Sequence, residues 1–212
     1  MNTNLVFIIL RNNSFICKKA DHNRSHVFRF DDIVKMPNIP FYHHIWNDSA
    51  KYMKLYKHFY KNELMNNSIM SGLKKSHTYL AIPDDAVEVD RRMVQEFLSS
   101  CGNKIVNVTP ECMLVSQQDD TYVAVSFTCR MIVLSYIKAG NIAHQQYLES
   151  NNYSLDELKS QISKLLNNRE FGKLPVYLNG EKRDHFSQLG CFVDQESILE
   201  NYILLKTALV KT

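Results

Sequence analysis

Long apolar runs are missing from this 212-residue sequence. The longest, LVFIIL at residues 5–10, has six residues, whereas a helix that spans a bilayer needs about 20. No basic segment precedes this run and no small-residue cleavage site follows it, so it is not typical of a secretory signal. We therefore expect a soluble, cytoplasmic chain. If the chain is a cytoplasmic fragment of a longer protein, it would reach a membrane only through a span outside residues 1–212.

Cysteine and net charge are also low. The five cysteines are an odd number with wide, irregular spacing and no CxxC pair, so neither a zinc site nor a redox motif is indicated. We expect reduced, mostly buried thiols. The net charge of +3 is too weak to indicate nucleic-acid binding. The hydrophobic fraction of 45% is typical of a globular protein with a substantial core.

One series of predicted elements occurs twice. A three-strand meander followed by helix, strand and helix fills the first half, and the same order restarts after the polar residues 117–120. Helical spacing of apolar residues predicts a helix from Asp48, and capping residues place helix starts at Asp85, Ser154 and Asp194. Mixed strands and helices predict an α/β architecture. We expect two tandem lobes, residues 1–118 and 119–212, that face each other across a cleft.

Residues 79–115, YLAIPDDAVEVDRRMVQEFLSSCGNKIVNVTPECMLV, carry a resemblance to a known family. The segment resembles MreB-type bacterial actins, in which a strand ends in Pro, an acidic arginine-containing helix follows, and a short strand precedes a Pro-started helix. The resemblance implies a compact actin-like (ribonuclease H-like) fold. It covers about 37 residues, and the rest of the chain matches only in the order of its elements.

Nucleotide binding in that family relies on Asp followed by Gly in the turns of two hairpins, where the backbone approaches phosphates. The corresponding turns here are LRNNS at residues 10–14 and SFTCR at residues 126–130, and neither contains Asp or Gly. A glycine pair expected after a late strand survives only as Asn179-Gly180. Phe127 and Arg130 would obstruct a phosphate cradle, although Thr128 or Arg130 could still touch an anion. These departures from the family's pattern argue against ATP hydrolysis. We therefore expect no catalytic residues, no cofactor and no metal.

Degenerate actin-like lobes resemble the cytoplasmic platform proteins of type IV pili and type II secretion, such as PilM, the cytoplasmic half of the secretion L protein, and BfpC of the bundle-forming pilus. That resemblance implies a non-catalytic scaffold that docks the assembly ATPase and inner-membrane partners and binds no nucleic acid, and it leaves a homodimer open. The alternative is a nucleotide-regulated actin-like ATPase or cytoskeletal protein.

Two groups of residues are candidates for partner binding. The aromatic group is Phe41, Tyr42 and Trp46, because aromatic anchors are enriched in interfaces; the simpler interpretation is a loop anchored to the core. The basic group is Lys54, Lys57 and Lys61 on one face of a predicted helix, with Lys74 and Lys75 nearby. It could meet acidic lipids, an acidic partner or nucleic-acid phosphates, or be an ordinary solvated face.

Other chemistry-bearing residues have simpler interpretations. The carboxylates of Asp84, Asp85, Glu88 and Asp90 could bind a metal or act as acid and base, but they more often cap a helix. The pair Asp184-His185 lacks a nucleophile elbow such as GxSxG. The last predicted helix places Ile198, Tyr202, Leu205 and Leu209 on one apolar face, which should be buried against the second sheet.

Overall fold

The first of two mixed five-stranded sheets is centred on the apolar run near the start of the chain. The computed structural model describes residues 5–11, 13–65, 76–149, 152–166, 172–181 and 183–208. The first sheet has the spatial order β3-β2-β1-β4-β5, with β1 antiparallel to β2 and parallel to β4. Its strands are β1 (Leu5–Arg11), β2 (Ser14–Lys19), β3 (His26–Arg29), β4 (His77–Ile82) and β5 (Lys104–Pro110). Residues 6–10 are all buried, because a central strand is covered on both faces.

The second sheet repeats this topology. Its spatial order is β10-β9-β6-β7-β8, and the central β6 is antiparallel to β7 and parallel to β9. The strands are β6 (Tyr122–Phe127), β7 (Ile132–Lys138), β8 (Asn141–Leu148), β9 (Val176–Gly180) and β10 (Cys191–Phe192). In both sheets the first strand of the meander pairs in parallel with the strand that follows the intervening helix. The predicted α/β architecture with a duplicated order is confirmed, while the two-residue β10 was not predicted.

In the described part of the chain, five α-helices accompany the sheets: α1 (Phe41–His44), α2 (Ser49–Phe59), α3 (Glu88–Ser100), α4 (Leu155–Leu165) and α5 (Gln195–Ala208). Residues 31–47, predicted to be irregular, contain α1 and the start of a 3-10 helix, Ile45–Asp48. The capping box of Ser154 and Glu157 at the start of α4 is confirmed. None of the helices in the described ranges has the length and apolar character that a membrane span requires.

The start of α3 differs from the prediction that Asp85 caps it. Val87 is the N-cap residue, and its N–H donates to Asp90 Oδ2 at 3.0 Å. Asp90 occupies a buried position on the helix, whereas its apolar neighbour Val89 is 62% exposed. The prediction was wrong because Asp85 makes its contacts with other residues, described below.

The buried face of α5 is also displaced from the predicted one. Ile198 and Tyr202 are buried as expected, together with Leu199. Leu205 is 44% exposed, so its predicted place on the buried face was wrong, and Leu209 lies outside the described residues. Leu199 moves the centre of the buried face away from Leu205, which lies at the edge of that face and in the last turn of the helix.

The chain divides into two units, each with one sheet. The first comprises residues 1–82 and 86–109, and the second comprises residues 83–85 and 110–212. The sequence placed the boundary between residues 118 and 119, but the structure assigns residues 83–85 and 110–118 to the second unit. The reason is local, since Asp84 and Asp85 make hydrogen bonds with the residues that surround the end of β6.

Candidate functional site

The turn between β6 and β7 is closed by the hydroxyl of Thr128. This hydroxyl accepts the N–H groups of Arg130 and Met131 at 3.2 and 3.1 Å. It also lies 2.9 Å from both Asp85 Oδ2 and the Met131 carbonyl oxygen, either of which can accept its proton. The Thr128 N–H donates to the Met131 carbonyl at 3.0 Å. Three N–H groups of this turn therefore already have acceptors within it.

Arg130, in the same turn, is paired with Asp85. Its Nε donates to Asp85 Oδ2 at 2.7 Å, and its Nη2 donates to the Asp85 carbonyl oxygen at 2.6 Å. The Arg130 side chain is 18% exposed and that of Asp85 is 2% exposed. A cation and a carboxylate buried together in this way are held by charge-assisted hydrogen bonds, so the main cation of the turn is engaged by an anion of the chain itself.

A second buried polar cluster lies at the end of β6. Ser126 Oγ is 2.5 Å from Asp84 Oδ2 and 2.7 Å from Asn179 Oδ1. Asn179 Nδ2 in turn lies 3.4 Å from Asp84 Oδ2 and 3.3 Å from Glu111 Oε2. The Cys112 N–H donates to both oxygens of Asp84, at 2.9 and 3.1 Å. Burial, together with the Asp84 carboxylate, raises the pKa of the Cys112 thiol, so this cysteine stays protonated and unreactive.

The late-strand glycine is used for packing. Gly180 has φ +91°, and a Cβ built on it would lie 2.1 Å from the Phe127 carbonyl oxygen. The Glu181 N–H donates to that same oxygen at 2.8 Å. Phe127 itself is buried and stacks on Phe186, with ring centroids 5.2 Å apart. Glycine is thus required here by the close approach of β9 to the end of β6.

The hairpin turn of the first sheet is also held by its own side chains. Asn13 adopts φ +57°, a left-handed conformation that Asn tolerates better than most residues. Its side-chain amide donates to the Ile33 carbonyl at 2.7 Å, and the Ser14 hydroxyl donates to the Arg11 carbonyl at 2.5 Å.

The roles of Asp84, Asp85 and Glu111 were not predicted from the sequence. Asp84 and Asp85 had been interpreted as helix caps, whereas their carboxylates hold the β6–β7 turn and the end of β6. A signal was present: Pro83 directly follows β4, Pro110 ends β5, and acidic residues come immediately after both prolines. Polar side chains just beyond strand ends are typical of sites in α/β folds.

The predicted partner-binding residues lie in the first unit, in α1, the 3-10 helix that follows it, α2, and the π-helical turn Tyr60–Leu64 that extends α2. Phe41 and Trp46 are partly buried against the core, and Tyr42 is only 2% exposed, so it offers a partner little surface. The three lysines of the basic group, Lys54, Lys57 and Lys61, are exposed. Lys74 and Lys75 lie outside the described residues. A partner role for these side chains stays a prediction.

The cysteines are divided between the interior and the surface. Cys17, Cys101 and Cys112 are buried, whereas Cys129 and Cys191 are exposed, so the expectation of buried thiols holds for three of the five. Within the ranges that the structure describes, no group of three or more His, Cys, Asp and Glu side chains is arranged to hold a metal ion.

Comparison with solved structures gives matches of low sequence identity. The ethanolamine utilization protein EutJ from Carboxydothermus hydrogenoformans matches with a TM-score of 0.57 and 12% identity, over 94% of this chain and 87% of EutJ. MreB 5 of Spiroplasma citri bound to AMPPNP has a TM-score of 0.48 and 11% identity, over 79% of this chain and 59% of its own length. The ParM protein of psk41, in its apo form, has a TM-score of 0.49 and 9% identity, over 100% of this chain and 99% of ParM.

The chain has an actin-like fold. This confirms the fold that the resemblance of residues 79–115 implied. The chain spans less than two thirds of the length of the Spiroplasma citri protein. No protein-family model and no curated protein matches the sequence.

Proposed function

We propose that this chain is a non-catalytic scaffold with an actin-like fold, which acts through its surfaces. The observation that carries the proposal is the β6–β7 turn. Its N–H groups donate to Thr128, and its arginine is paired with Asp85. A phosphate-binding turn needs free backbone N–H donors, whereas the N–H groups of Thr128, Arg130 and Met131 already donate to acceptors within the turn.

The test is a melting curve with and without millimolar ATP and magnesium. A ligand that binds only the folded state raises stability with its concentration, by about 2.7 kcal/mol at 100 times its Kd. We expect no rise in Tm and no phosphate release. An ATP-dependent rise would reject the proposal and favour the alternative, a nucleotide-regulated actin-like ATPase or cytoskeletal protein. The observation that favours this alternative is the pair of buried carboxylates, Asp84 and Glu111, at the end of β6.

In its finer form, the proposal places the scaffold in the assembly platform of a type IV pilus or a type II secretion system. There it would dock the assembly ATPase and inner-membrane partners at the cytoplasmic face of the inner membrane. The support is the resemblance described for the sequence, together with the exposed basic residues of α2 and its extension, Lys54, Lys57 and Lys61.

Binding of the ATPase encoded in the same operon tests this finer form. We expect the triple change of Lys54, Lys57 and Lys61 to Glu to weaken binding, because it reverses the charge of one helix face. Lys104→Glu is the matched control, since Lys104 is exposed in the same unit but on β5. Equal loss in both proteins, or no binding by the unaltered chain, would contradict the docking role.

A further inference from the structure

The four edges of the two sheets differ in how well they are protected against pairing with another strand. Proteins usually shorten an edge strand or place charges or proline on it. The edge strand β3 has four residues and ends in Arg29, β10 has two residues, and β5 contains Lys104 and Pro110. The fourth edge, β8, has eight residues, NIAHQQYL, with no Asp, Glu, Lys, Arg or Pro.

Strand β8 is also accessible. Within the described residues only β7 pairs with it, and Asn141 to His144 are exposed. Its one irregularity is a register shift at Tyr136/Ile137 that leaves Ala143 unpaired. This bulge lies near the start of the strand, and the five residues from His144 to Leu148 pair with β7 in continuous register. That stretch presents a row of backbone donors and acceptors suited to an added strand.

We propose that β8 pairs antiparallel with β8 of a second copy of this chain, so that two second-unit sheets join into one ten-stranded sheet. A two-fold axis perpendicular to a sheet places each residue on the same face as its copy, so any charge near the middle of the strand would meet a like charge. The middle of β8 carries none. Pairing with a strand of a different protein would allow charges on β8 that meet opposite charges on the partner, whereas self-pairing does not.

The charges at the two ends of β8 support the same occupant and direction. Lys138 pairs with Asn141 at the start of the strand, and Glu149 follows Leu148 at its end. Antiparallel pairing brings the start of one β8 beside the end of the other. Lys138, which ends β7 one strand in from the edge, then lies at the same end of the joined strands as Glu149 of the partner, two strand spacings of about 5 Å each away, where unlike charges still attract each other. Parallel pairing would instead place the two Glu149 side chains next to each other at one end of the joined strands.

Sedimentation velocity of the full chain over a range of micromolar concentrations tests the proposal. We expect a reversible monomer–dimer equilibrium. Gln146 is the central residue of the stretch from His144 to Leu148, so Gln146→Glu and Gln146→Lys should each weaken dimerisation by about tenfold, because like charges then face each other across the two-fold axis. An equimolar mixture of the two variants should recover association as a heterodimer.

Val106→Glu is the matched control, because Val106 is 46% exposed on β5 at an edge of the other sheet. It should dimerise like the unaltered chain, and all variants should show the same melting curve at a concentration low enough for every chain to be monomeric. An unaltered chain that stays monomeric throughout would overturn the proposal, as would dimerisation that the Gln146 variants leave unchanged. Failure of the mixture to associate would overturn direct strand pairing. The inference does not depend on the proposed function, since it uses no residue of the β6–β7 turn.

Discussion

At the scale of single residues, Asp85 determines the state of the β6–β7 turn. Its carboxylate accepts from Arg130 and lies within hydrogen-bond distance of the Thr128 hydroxyl, which in turn accepts two backbone N–H groups. The carboxylate therefore takes the place that an anionic ligand could take beside a cation and a hydroxyl. Removing it should both destabilise the turn and leave Arg130 in need of an anion.

The Asp85→Ala variant tests this role. Loss of one partner from a buried ion pair costs about 3–5 kcal/mol, and the partial exposure of Arg130 places the expected loss near the lower value. Urea unfolding measures it. Glu88→Ala is the control, since the Glu88–Arg92 pair is exposed and should contribute less than about 1 kcal/mol. Inorganic phosphate should then restore stability to Asp85→Ala more than to Glu88→Ala, and equal effects in both variants would contradict the role assigned to Asp85.

Gly180 gives a second prediction at this scale. In Gly180→Ala the new Cβ would meet the Phe127 carbonyl oxygen at 2.1 Å, and a backbone atom cannot move aside as a flexible side chain can. We expect a loss above about 2 kcal/mol, which combines this overlap with the strain of a positive φ. Gly140→Ala separates the two causes, because Gly140 has φ +68° with nothing within 4 Å of its added Cβ. It should lose only about 1 kcal/mol, and equal losses at both glycines would show that β9 does not need the close approach.

At the scale of elements, the patterns with strong local causes were predictable. The buried run of β1 and the capping box of Ser154 and Glu157 depend on residues a few positions apart, so the sequence displays them. Asp85 satisfies the same capping pattern, yet its carboxylate is taken by Arg130, 45 residues away along the chain. Contacts across that separation leave no mark in a local pattern. The two-residue β10 likewise depends on pairing with β9 and has no periodicity to detect.

The buried face of α5 can be tested with two identical substitutions in one helix. Leu199 is fully buried, whereas Leu205 is 44% exposed. Leu199→Ala should lower the free energy of unfolding by about 2–5 kcal/mol, because it removes packed methyl groups and leaves a cavity. Leu205→Ala should change it by less than about 0.5 kcal/mol. Denaturant unfolding of both variants decides the matter, and a larger loss at Leu205 would restore the face predicted from periodicity.

At the scale of the whole molecule, the duplication of topology and the division of the chain do not coincide. Each sheet repeats the same strand order, and that repeat follows from patterns visible in the sequence. The boundary does not, because the second unit takes residues 83–85 from within the first half and residues 110–118 from before the polar break. The polar residues 117–120 interrupt the pattern of apolar residues, but they do not mark where tertiary contacts change.

This discontinuity predicts how the chain behaves when it is cut between residues 118 and 119. The fragment 1–118 contains both pieces of the first unit, residues 1–82 and 86–109, so it should fold. The fragment 119–212 lacks Asp84, Asp85 and Glu111, which leaves Ser126, Asn179 and Arg130 without the carboxylates that bind them. Unpaired buried polar groups cost about 1–3 kcal/mol each, and more for a charge, against a total domain stability of about 5–15 kcal/mol. We expect circular dichroism and amide-proton spectra of 119–212 to show an unfolded or aggregated chain, and a cooperative melt near that of the full protein would mean that residues 83–85 and 110–118 are not needed by the second sheet.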